Sequence, residues 1–343
     1  MTEELSDLFP LILVSALAAA LVGPLMARLG RVLGLVDLPR SAPHKLHQHP
    51  TPLVGGLTIG LALAVTYLMI RPPLEEGVGP ALAAGGVMLV WGLVDDWRGM
   101  APWQKLVGQI AVGAFLIASG VQVRITRLDW LDLGLSMLWY VGMMNAFNFV
   151  DSMDGLAVGL ASIASAFFML VMVDSGQPGL ALLAAAILGA TVGSYVLNAS
   201  PAKIFLGDSG AQLLGLLLAV LGIAYVPGGA GLPQGVSWFT PILVLGIPIF
   251  DMCLVVISRT RRRSRLYQAG TDHTYHRLVG LGLDPTRSVL LTHLTAIVLG
   301  LTAFIALDAT VLVANLMFGG IVLMGLAAVA VLERVHPRPA EAP

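Results

Sequence analysis

Hydrophobic residues run through this chain in long blocks that short polar segments interrupt. The blocks recur along the whole chain, and each is about 20 residues long, the length that a helix needs to cross the hydrocarbon core of a bilayer. The pattern predicts eleven transmembrane helices, at residues 8–28, 53–70, 80–94, 104–121, 130–147, 155–173, 179–197, 209–226, 237–257, 287–306 and 310–332. We therefore expect an all-α polytopic membrane protein, with residues 1–343 forming a single integral membrane domain.

Composition supports the membrane class. Hydrophobic residues make up 57% of the chain and charged residues 11%, and the mean hydropathy is +0.86, which is far from the values typical of a soluble domain. The first predicted span follows Glu3, Glu4 and Asp7 rather than a basic segment. It is expected to be a retained anchor and not a cleaved signal peptide.

The basic residues indicate how the chain is oriented. If the N-terminus lies outside, the predicted cytoplasmic segments contain all of the 19 Lys and Arg residues except Arg71, Arg124 and Arg127. Cytoplasmic loops carry such an excess of basic residues. We expect a multi-pass protein of the inner, cytoplasmic membrane, with its N-terminus outside and its C-terminus in the cytoplasm.

Five polar motifs stand out against the hydrophobic pattern, and the predicted orientation places all of them on the cytoplasmic side. They are VDDW at 94–97, NAFNFVDSMDG at 145–155, FLGDSG at 205–210, PIFD at 248–251 and DHTYHRL at 272–278. An Asp at the centre of a membrane helix costs about 2.5–3.5 kcal/mol, so carboxylates that recur at span ends call for a functional explanation. The motifs predict one active site at the cytoplasmic face.

The first of these motifs carries an acidic pair followed by a lysine. Asp95 and Asp96 are adjacent carboxylates at a predicted helix end, and Lys105 begins the next span. Adjacent carboxylates repel each other unless a cation or a proton intervenes. Carboxylate oxygens bind Mg²⁺ and an ammonium group binds phosphate, so the pattern favours metal-assisted phosphoryl chemistry. A helix cap with an interfacial salt bridge is the structural alternative.

The second motif places four polar side chains three residues apart. Asn145, Asn148, Asp151 and Asp154 form a stripe along the cytoplasmic end of span five. Such a stripe offers amides and carboxylates to a polar ligand. Asp154 also precedes span six, where it could cap the helix.

The remaining motifs add isolated polar groups. Asp208 lies where span eight begins, and a helix N-terminus beside a carboxylate can hold a metal and the phosphates it bridges. Asp251 lies inside span nine, where a carboxylate needs a partner or a function. Lys45 lies in a proline-rich first loop, where both a topological role and a phosphate contact stay open.

Taken together, the motifs resemble the polyprenyl-phosphate N-acetylhexosamine-1-phosphate transferases, the glycosyltransferase family 4 group that contains WecA and MraY. The resemblance covers about residues 30–285 and includes the order of all five motifs. It implies transfer of a HexNAc 1-phosphate, GlcNAc first among donors, from a UDP-sugar to undecaprenyl phosphate, with release of UMP. This is a first membrane step of cell-envelope glycan synthesis. The resemblance also implies a requirement for Mg²⁺, with Mn²⁺ as a substitute.

The resemblance also implies roles for individual residues. Asp208 resembles the principal Mg²⁺ ligand, and Asp95 is a second one. The residues implied to be catalytic are Asp95, Asp96, Lys105, Asp151 and His273. The residues implied to bind substrates are Lys45, Asn145, Asn148, Asp154, His276 and Arg277. The sequence departs from the family pattern at Gly99, where a third Asp is common, at Ser152 in place of a glycine, and at Tyr275 in place of a histidine.

Several alternatives stay open. The lipid phosphate could attack directly, with Asp95 or Asp96 orienting or deprotonating it, or an aspartyl intermediate could form. A phospho-MurNAc-pentapeptide transferase is the alternative within the family, although the eleventh span and the DHTYHRL variant favour the WecA-like branch. An ion-coupled transporter is a remote alternative that relies on Asp251. Expected partners are the UDP-sugar, the polyprenyl phosphate and membrane lipids, with a homodimer left open and no nucleic acid.

Overall fold

The computed structural model describes residues 2–39, 49–75, 77–126, 128–226, 238–265, 270 and 272–335, with side chains described from residue 8 onward. The described residues form thirteen α-helices and one two-stranded ladder. The helices are α1 (Thr2–Leu33), α2 (Gly55–Ile70), α3 (Val78–Arg98), α4 (Pro102–Ala118), α5 (Asp129–Val150), α6 (Leu156–Asp174), α7 (Pro178–Asn198), α8 (Gly207–Ala224), α9 (Thr240–Val244), α10 (Gly246–Arg261), α11 (Thr274–Gly280), α12 (Pro285–Leu307) and α13 (Val311–Leu332).

Eight of these helices are long and apolar enough to cross a membrane, which confirms a helical, multi-pass architecture. They are α1, α3, α5, α6, α7, α8, α12 and α13. The fifth predicted span is among them despite its two aspartates. Asp132 accepts a hydrogen bond from the backbone N–H of Thr126 at 3.0 Å, so this carboxylate is satisfied at the start of the helix.

The three other predicted spans coincide with shorter helices. α2 has 16 residues and α4 has 17. The ninth predicted span is divided into α9 and α10 by a break at Leu245. Pro248 follows the break and has no N–H to donate to the carbonyl of Val244, so a continuous helix would lose a hydrogen bond there. The count of eleven crossings stays a prediction, as do the orientation and the cytoplasmic active site.

The helices are accompanied by one short β-ladder, which leaves the all-α class unchanged. Strands β1 (Val36–Asp37) and β2 (Thr51–Pro52) pair in an antiparallel ladder, and Leu53 forms a bridge with Phe205. The prolines of this loop exclude a regular helix, so its backbone groups pair across strands instead. Phe205 N–H donates to the Pro52 carbonyl at 2.8 Å. The two strands are thereby fixed beside the segment that leads into α8.

Helix α8 lies at the centre of the fold, with α3 and α5 packed against it. Small residues let its first turn approach its neighbours closely, as is common where membrane helices pack. A Cβ atom on Gly56 would lie 2.3 Å from the backbone nitrogen of Gly210, and one on Gly92 would lie 2.3 Å from the Cα of Ser209. The N-terminus of α8 is therefore held tightly between α2 and α3.

Candidate active site

The candidate site is built around the first turn of α8. Asp96, on α3, accepts hydrogen bonds from the backbone N–H groups of Asp208 at 2.8 Å and Ser209 at 3.1 Å. Asp96 therefore caps a helix 112 residues away in the chain and complements its positive N-terminus. Gly207 makes the approach possible: its φ is +73°, and a Cβ there would lie 2.8 Å from Asp96 Oδ2.

A lysine and an amide hold the carboxylate of Asp208. Lys105 Nζ lies 3.1 Å from Asp208 Oδ2 and 2.6 Å from Asp95 Oδ2. The side-chain amide of Asn148 donates to Asp208 Oδ1. Asp95 also accepts a hydrogen bond from the backbone N–H of Met100 at 2.7 Å. The structure thus brings together four of the predicted site residues, Asp95, Lys105, Asn148 and Asp208.

Asp151 joins the same cluster from the end of α5. Burial raises the pKa of its carboxyl well above the ordinary value, and the negative charges of Asp208, Asp96 and Asp154 raise it further. A hydrogen bond from the backbone of Gly207 opposes this shift only in part. Carboxylates therefore outnumber the single lysine here, and an added cation would relieve their repulsion.

A layer of amide side chains lies one helical turn below the cluster. Asn145 donates to Gln109 Oε1 at 2.8 Å, and Gln109 donates to Gln212 Oε1 at 3.3 Å. The two glutamines follow Lys105 and Asp208 by four residues, so they lie on the same helix faces. Neither glutamine was predicted from the sequence. The available signal was the i+4 spacing of polar residues in apolar helices.

Asp154 supports the loop that precedes α8. It accepts a hydrogen bond from the backbone N–H of Ala202 at 2.9 Å, and Asn198 accepts one from Gly155 N–H at 3.2 Å. The suggested cap on the next helix is wrong, because Gly155 is the N-cap of α6 and no side chain bonds there. The carboxylate of Asp154 reaches across to the 199–206 segment instead.

The DHTYHRL segment approaches the cluster through its histidine and tyrosine. His273 Nδ1 lies 2.8 Å from Asp251 Oδ2, and its ring meets the edge of the Phe149 ring, with centroids 5.6 Å apart. The hydroxyl of Tyr275 donates to Ser152 Oγ. Ser152 and Tyr275 are two of the three departures from the family pattern, and they contact each other.

Other predicted residues lie elsewhere. Arg277 is fully buried, and its guanidinium bonds to the Asp272 and Leu332 carbonyls and to Ser258 Oγ. It also pairs with Glu333 at 2.8 Å. These contacts tie α11 to the ends of α10 and α13, so this arginine does not face the carboxylate cluster.

The last two predicted residues, His276 and Lys45, are not seen to contact the cluster in the described part of the chain. The ring of His276 is 4.4 Å, centroid to centroid, from that of Tyr275, and it is partly exposed. Lys45 lies outside the described residues. Of the substrate-binding set, Asn145, Asn148 and Asp154 therefore line or support the cluster, while His276 lies behind Tyr275.

The donor chemistry of the cluster fits a hard divalent cation that substrate phosphates help to bind. Within the described ranges, no three acidic, histidine or cysteine side chains form a complete metal cage by themselves. Magnesium usually binds through one or two carboxylates together with phosphates and waters, so a complete cage is not required. Asp208 has 26% of its side chain exposed, and Asp151 lies beside it. These two carboxylates are the residues that would hold such an ion, whereas Asp95, the second predicted ligand, is buried and pairs with Lys105 and the Met100 N–H.

Comparison with known proteins gives consistent matches across the chain. Residues 79–226 match the model of glycosyl transferase family 4, a range that includes the Asp95, Lys105, Asn148, Asp151 and Asp208 positions. The chain is 28% identical over 311 residues to a probable undecaprenyl-phosphate N-acetylglucosaminyl 1-phosphate transferase of Bacillus subtilis, which covers 87% of this chain and 85% of that protein.

Two further relatives carry different names. A decaprenyl-phosphate N-acetylglucosaminephosphotransferase of Mycobacterium tuberculosis is 30% identical over 341 residues, covering 88% of this chain and 83% of the relative. A phospho-N-acetylmuramoyl-pentapeptide-transferase of Shouchella clausii is 35% identical over 306 residues, covering 81% of this chain and 91% of the relative. The similarity therefore extends over most of each protein.

Proposed function

The chain belongs to glycosyl transferase family 4, and from this premise we propose that it transfers GlcNAc 1-phosphate from UDP-GlcNAc to undecaprenyl phosphate. UMP is the second product. The reaction takes place at the cytoplasmic face of the membrane and begins the assembly of a cell-envelope glycan on its lipid carrier. The names of the relatives supply the chemical class and the acceptor, and the cluster around Asp208 supplies the site.

The observation that carries the proposal is the convergence of Lys105 and the α8 N-terminus on Asp208. The donor diphosphate and the acceptor phosphate are both anionic, so they repel each other as they approach. The ammonium of Lys105 offsets part of that repulsion. Asn148 holds the Asp208 carboxylate in place, and Asp96 holds the α8 N-terminus.

A divalent cation completes the charge balance in this proposal. Asp208 and Asp151 would hold it, and when bound it stabilises negative charge on the diphosphate and on the leaving UMP. Residues of the chain itself bind and orient the phosphates. Lys105 binds phosphate oxygens, and Asp95 keeps the lysine in position through the 2.6 Å ion pair.

Direct attack by the acceptor phosphate is the favoured route. An acceptor phosphate is largely ionised at neutral pH and needs little activation. An aspartyl intermediate would require a carboxylate that is free to attack. Lys105 and Asn148 engage the two oxygens of Asp208, and two backbone N–H groups engage those of Asp96. These contacts favour roles in binding and orientation over a nucleophilic role.

The two alternative functions are transfer from a different donor and ion-coupled transport. The relative from Shouchella clausii makes UDP-MurNAc-pentapeptide the second candidate donor. The transporter alternative relied on Asp251 as a carboxylate available to ions deep in the membrane. That carboxylate is instead paired with His273.

A donor comparison with purified protein tests the function. Radiolabelled UDP-GlcNAc and UDP-MurNAc-pentapeptide are each incubated with undecaprenyl phosphate, detergent-solubilised protein and Mg²⁺, and lipid-extractable label and UMP are measured. We expect label from UDP-GlcNAc only, with activity lost in EDTA and restored by Mg²⁺ or Mn²⁺. Label from UDP-MurNAc-pentapeptide alone would establish the second candidate, and label from neither donor would refute the proposal.

A matched pair of variants tests the assignment of the site. Asp208→Asn should remove most activity while leaving the protein folded, because the amide cannot bind a cation as the carboxylate does. Asp132→Asn changes another buried carboxylate, in the first turn of α5 at the opposite end from the cluster. It should retain activity. Normal turnover by Asp208→Asn at limiting Mg²⁺ would contradict the assignment.

A further inference from the structure

Asp251 is a buried carboxylate that the proposed reaction does not yet use. It lies on α10 with 2% of its side chain exposed. Its Oδ1 accepts a hydrogen bond from the backbone N–H of Thr274 at 2.6 Å, and its Oδ2 lies 2.8 Å from His273 Nδ1. A carboxylate in a membrane helix usually has a partner or a function. Both of its partners here belong to the start of α11.

The contact determines which nitrogen of His273 carries the proton. A carboxylate is an acceptor, so Nδ1 must carry the hydrogen and Nε2 is left as the second functional atom of the ring. Within the described part of the chain, no group forms a hydrogen bond with Nε2. The ring therefore has one nitrogen anchored to Asp251 and one available for a ligand.

The ring also has a fixed place relative to the acidic cluster. Phe149 lies against it in an edge-to-face contact, and the Tyr275 ring stacks on it with an interplanar angle of 10°. Tyr275 is in turn bonded to Ser152, the residue after Asp151. Phe149 and Ser152 belong to the segment that carries Asn148 and Asp151, so His273 is held against the end of α5 that forms the site.

We propose that Asp251 is a positioning residue for the transfer reaction and that it acts through His273. It fixes the ring tautomer and orientation so that Nε2 is presented to the substrates bound at the acidic cluster. The carboxylate itself contacts no substrate. This inference rests on the proposed function, because it assigns a role within the same site. It gives a role to Asp251 of the PIFD motif, to which the family resemblance assigned none.

A double-mutant cycle tests the proposal. The variants are Asp251→Asn, His273→Ala and the combination, each assayed for kcat and KM with UDP-GlcNAc and undecaprenyl phosphate. Asn keeps an acceptor for Thr274 N–H but presents an amide donor to Nδ1, which disfavours the required tautomer. Loss of such a supporting partner typically lowers activity by about 10- to 100-fold. We expect a loss of that size for Asp251→Asn alone, and little further loss when it is added to His273→Ala.

The controls separate positioning from stability. Asp132→Asn makes the same chemical change at a carboxylate that also accepts a backbone N–H, and it should leave kcat and KM unchanged. Asp251→Glu restores a carboxylate and should recover part of the activity lost in Asp251→Asn. The ¹⁵N chemical shifts of His273 report its tautomer directly, and they should show the Nδ1–H form in the wild type and its loss in Asp251→Asn.

The outcomes distinguish this proposal from the function it rests on. A wild-type protein that transfers label from neither donor would overturn the proposed function, and the role of Asp251 with it. An active wild type in which Asp251→Asn causes equal losses with and without His273 would overturn the positioning role alone. A wild-type His273 in the Nε2–H form would do the same.

Discussion

Lys105 offers the sharpest test of how the acidic cluster is held together. Its ammonium is the one basic side chain that pairs with Asp95 and Asp208 in the described structure, at 2.6 Å and 3.1 Å. Lys105→Met keeps most of the apolar stem of the side chain and removes the charge. The variant leaves the carboxylate of Asp95 with only 3% of its side chain exposed and without a cation. We therefore expect the folded state to lose stability.

The size of the effect follows from burial. Removing one partner of a fully buried ion pair costs about 3–5 kcal/mol, whereas an exposed pair contributes about 0–1 kcal/mol. Asp95 is buried, but Lys105 and Asp208 have 30% and 26% of their side chains exposed, so solvent screens part of the interaction. A loss of about 2 kcal/mol in the free energy of unfolding is expected.

Unfolding by SDS in mixed micelles, followed by tryptophan fluorescence in Mg²⁺-free buffer, measures this loss. Adding Asp95→Asn to Lys105→Met removes the uncompensated charge and should restore more than half of the lost stability without restoring activity. Arg287→Met is the matched control, because Arg287 pairs with Asp284 at 3.0 Å on the surface, with 77% and 48% of the side chains exposed. Its stability should not change. Wild-type stability in Lys105→Met, or no recovery in the double variant, would refute the reasoning.

Three further predictions concern Gly207, Arg277 and the orientation that the sequence predicts. Gly207→Ala should abolish most activity, because a Cβ there would meet the Asp96 carboxylate. Gly34 has a similar positive φ with open space around it, so Gly34→Ala should cost only about 1–2 kcal/mol of stability. Equal activities of the two variants would contradict this. Arg277→Met should lower the thermal midpoint in detergent without changing the KM for the donor, because this arginine joins helix ends and does not face the cluster. A raised KM at an unchanged midpoint would instead support its predicted role in substrate binding. In a background without Cys253, the single cysteine of the chain, a cysteine at Ser264 should react with a membrane-impermeant thiol probe only after permeabilisation, and one at Gly77 should react in intact cells. The reverse pattern would overturn the predicted orientation.

The sequence by itself determined where the helices are and which segments carry chemistry. A run of about 20 apolar residues has few solutions in a bilayer other than a helix, because every backbone polar group must be satisfied within the segment. Each predicted span accordingly overlaps a helix. The carboxylates and amides of the second and third motifs were identifiable because polar groups in such segments are costly and stand out against the pattern.

Only the tertiary structure decided how those polar groups are paired. Asp96 and the α8 N-terminus are 112 residues apart, and nothing local in either segment specifies that one caps the other. The contact between Gln109 and Gln212 likewise depends on how α4 and α8 pack. Arg277 lies away from the cluster because it bonds to the Leu332 carbonyl and the Glu333 carboxylate at the end of α13. Local hydrophobic pattern fixes a helix, whereas the partners of its side chains depend on the register and approach of helices that are distant in the chain. That packing is what brings Lys105, Asn148 and Asp208 to one point.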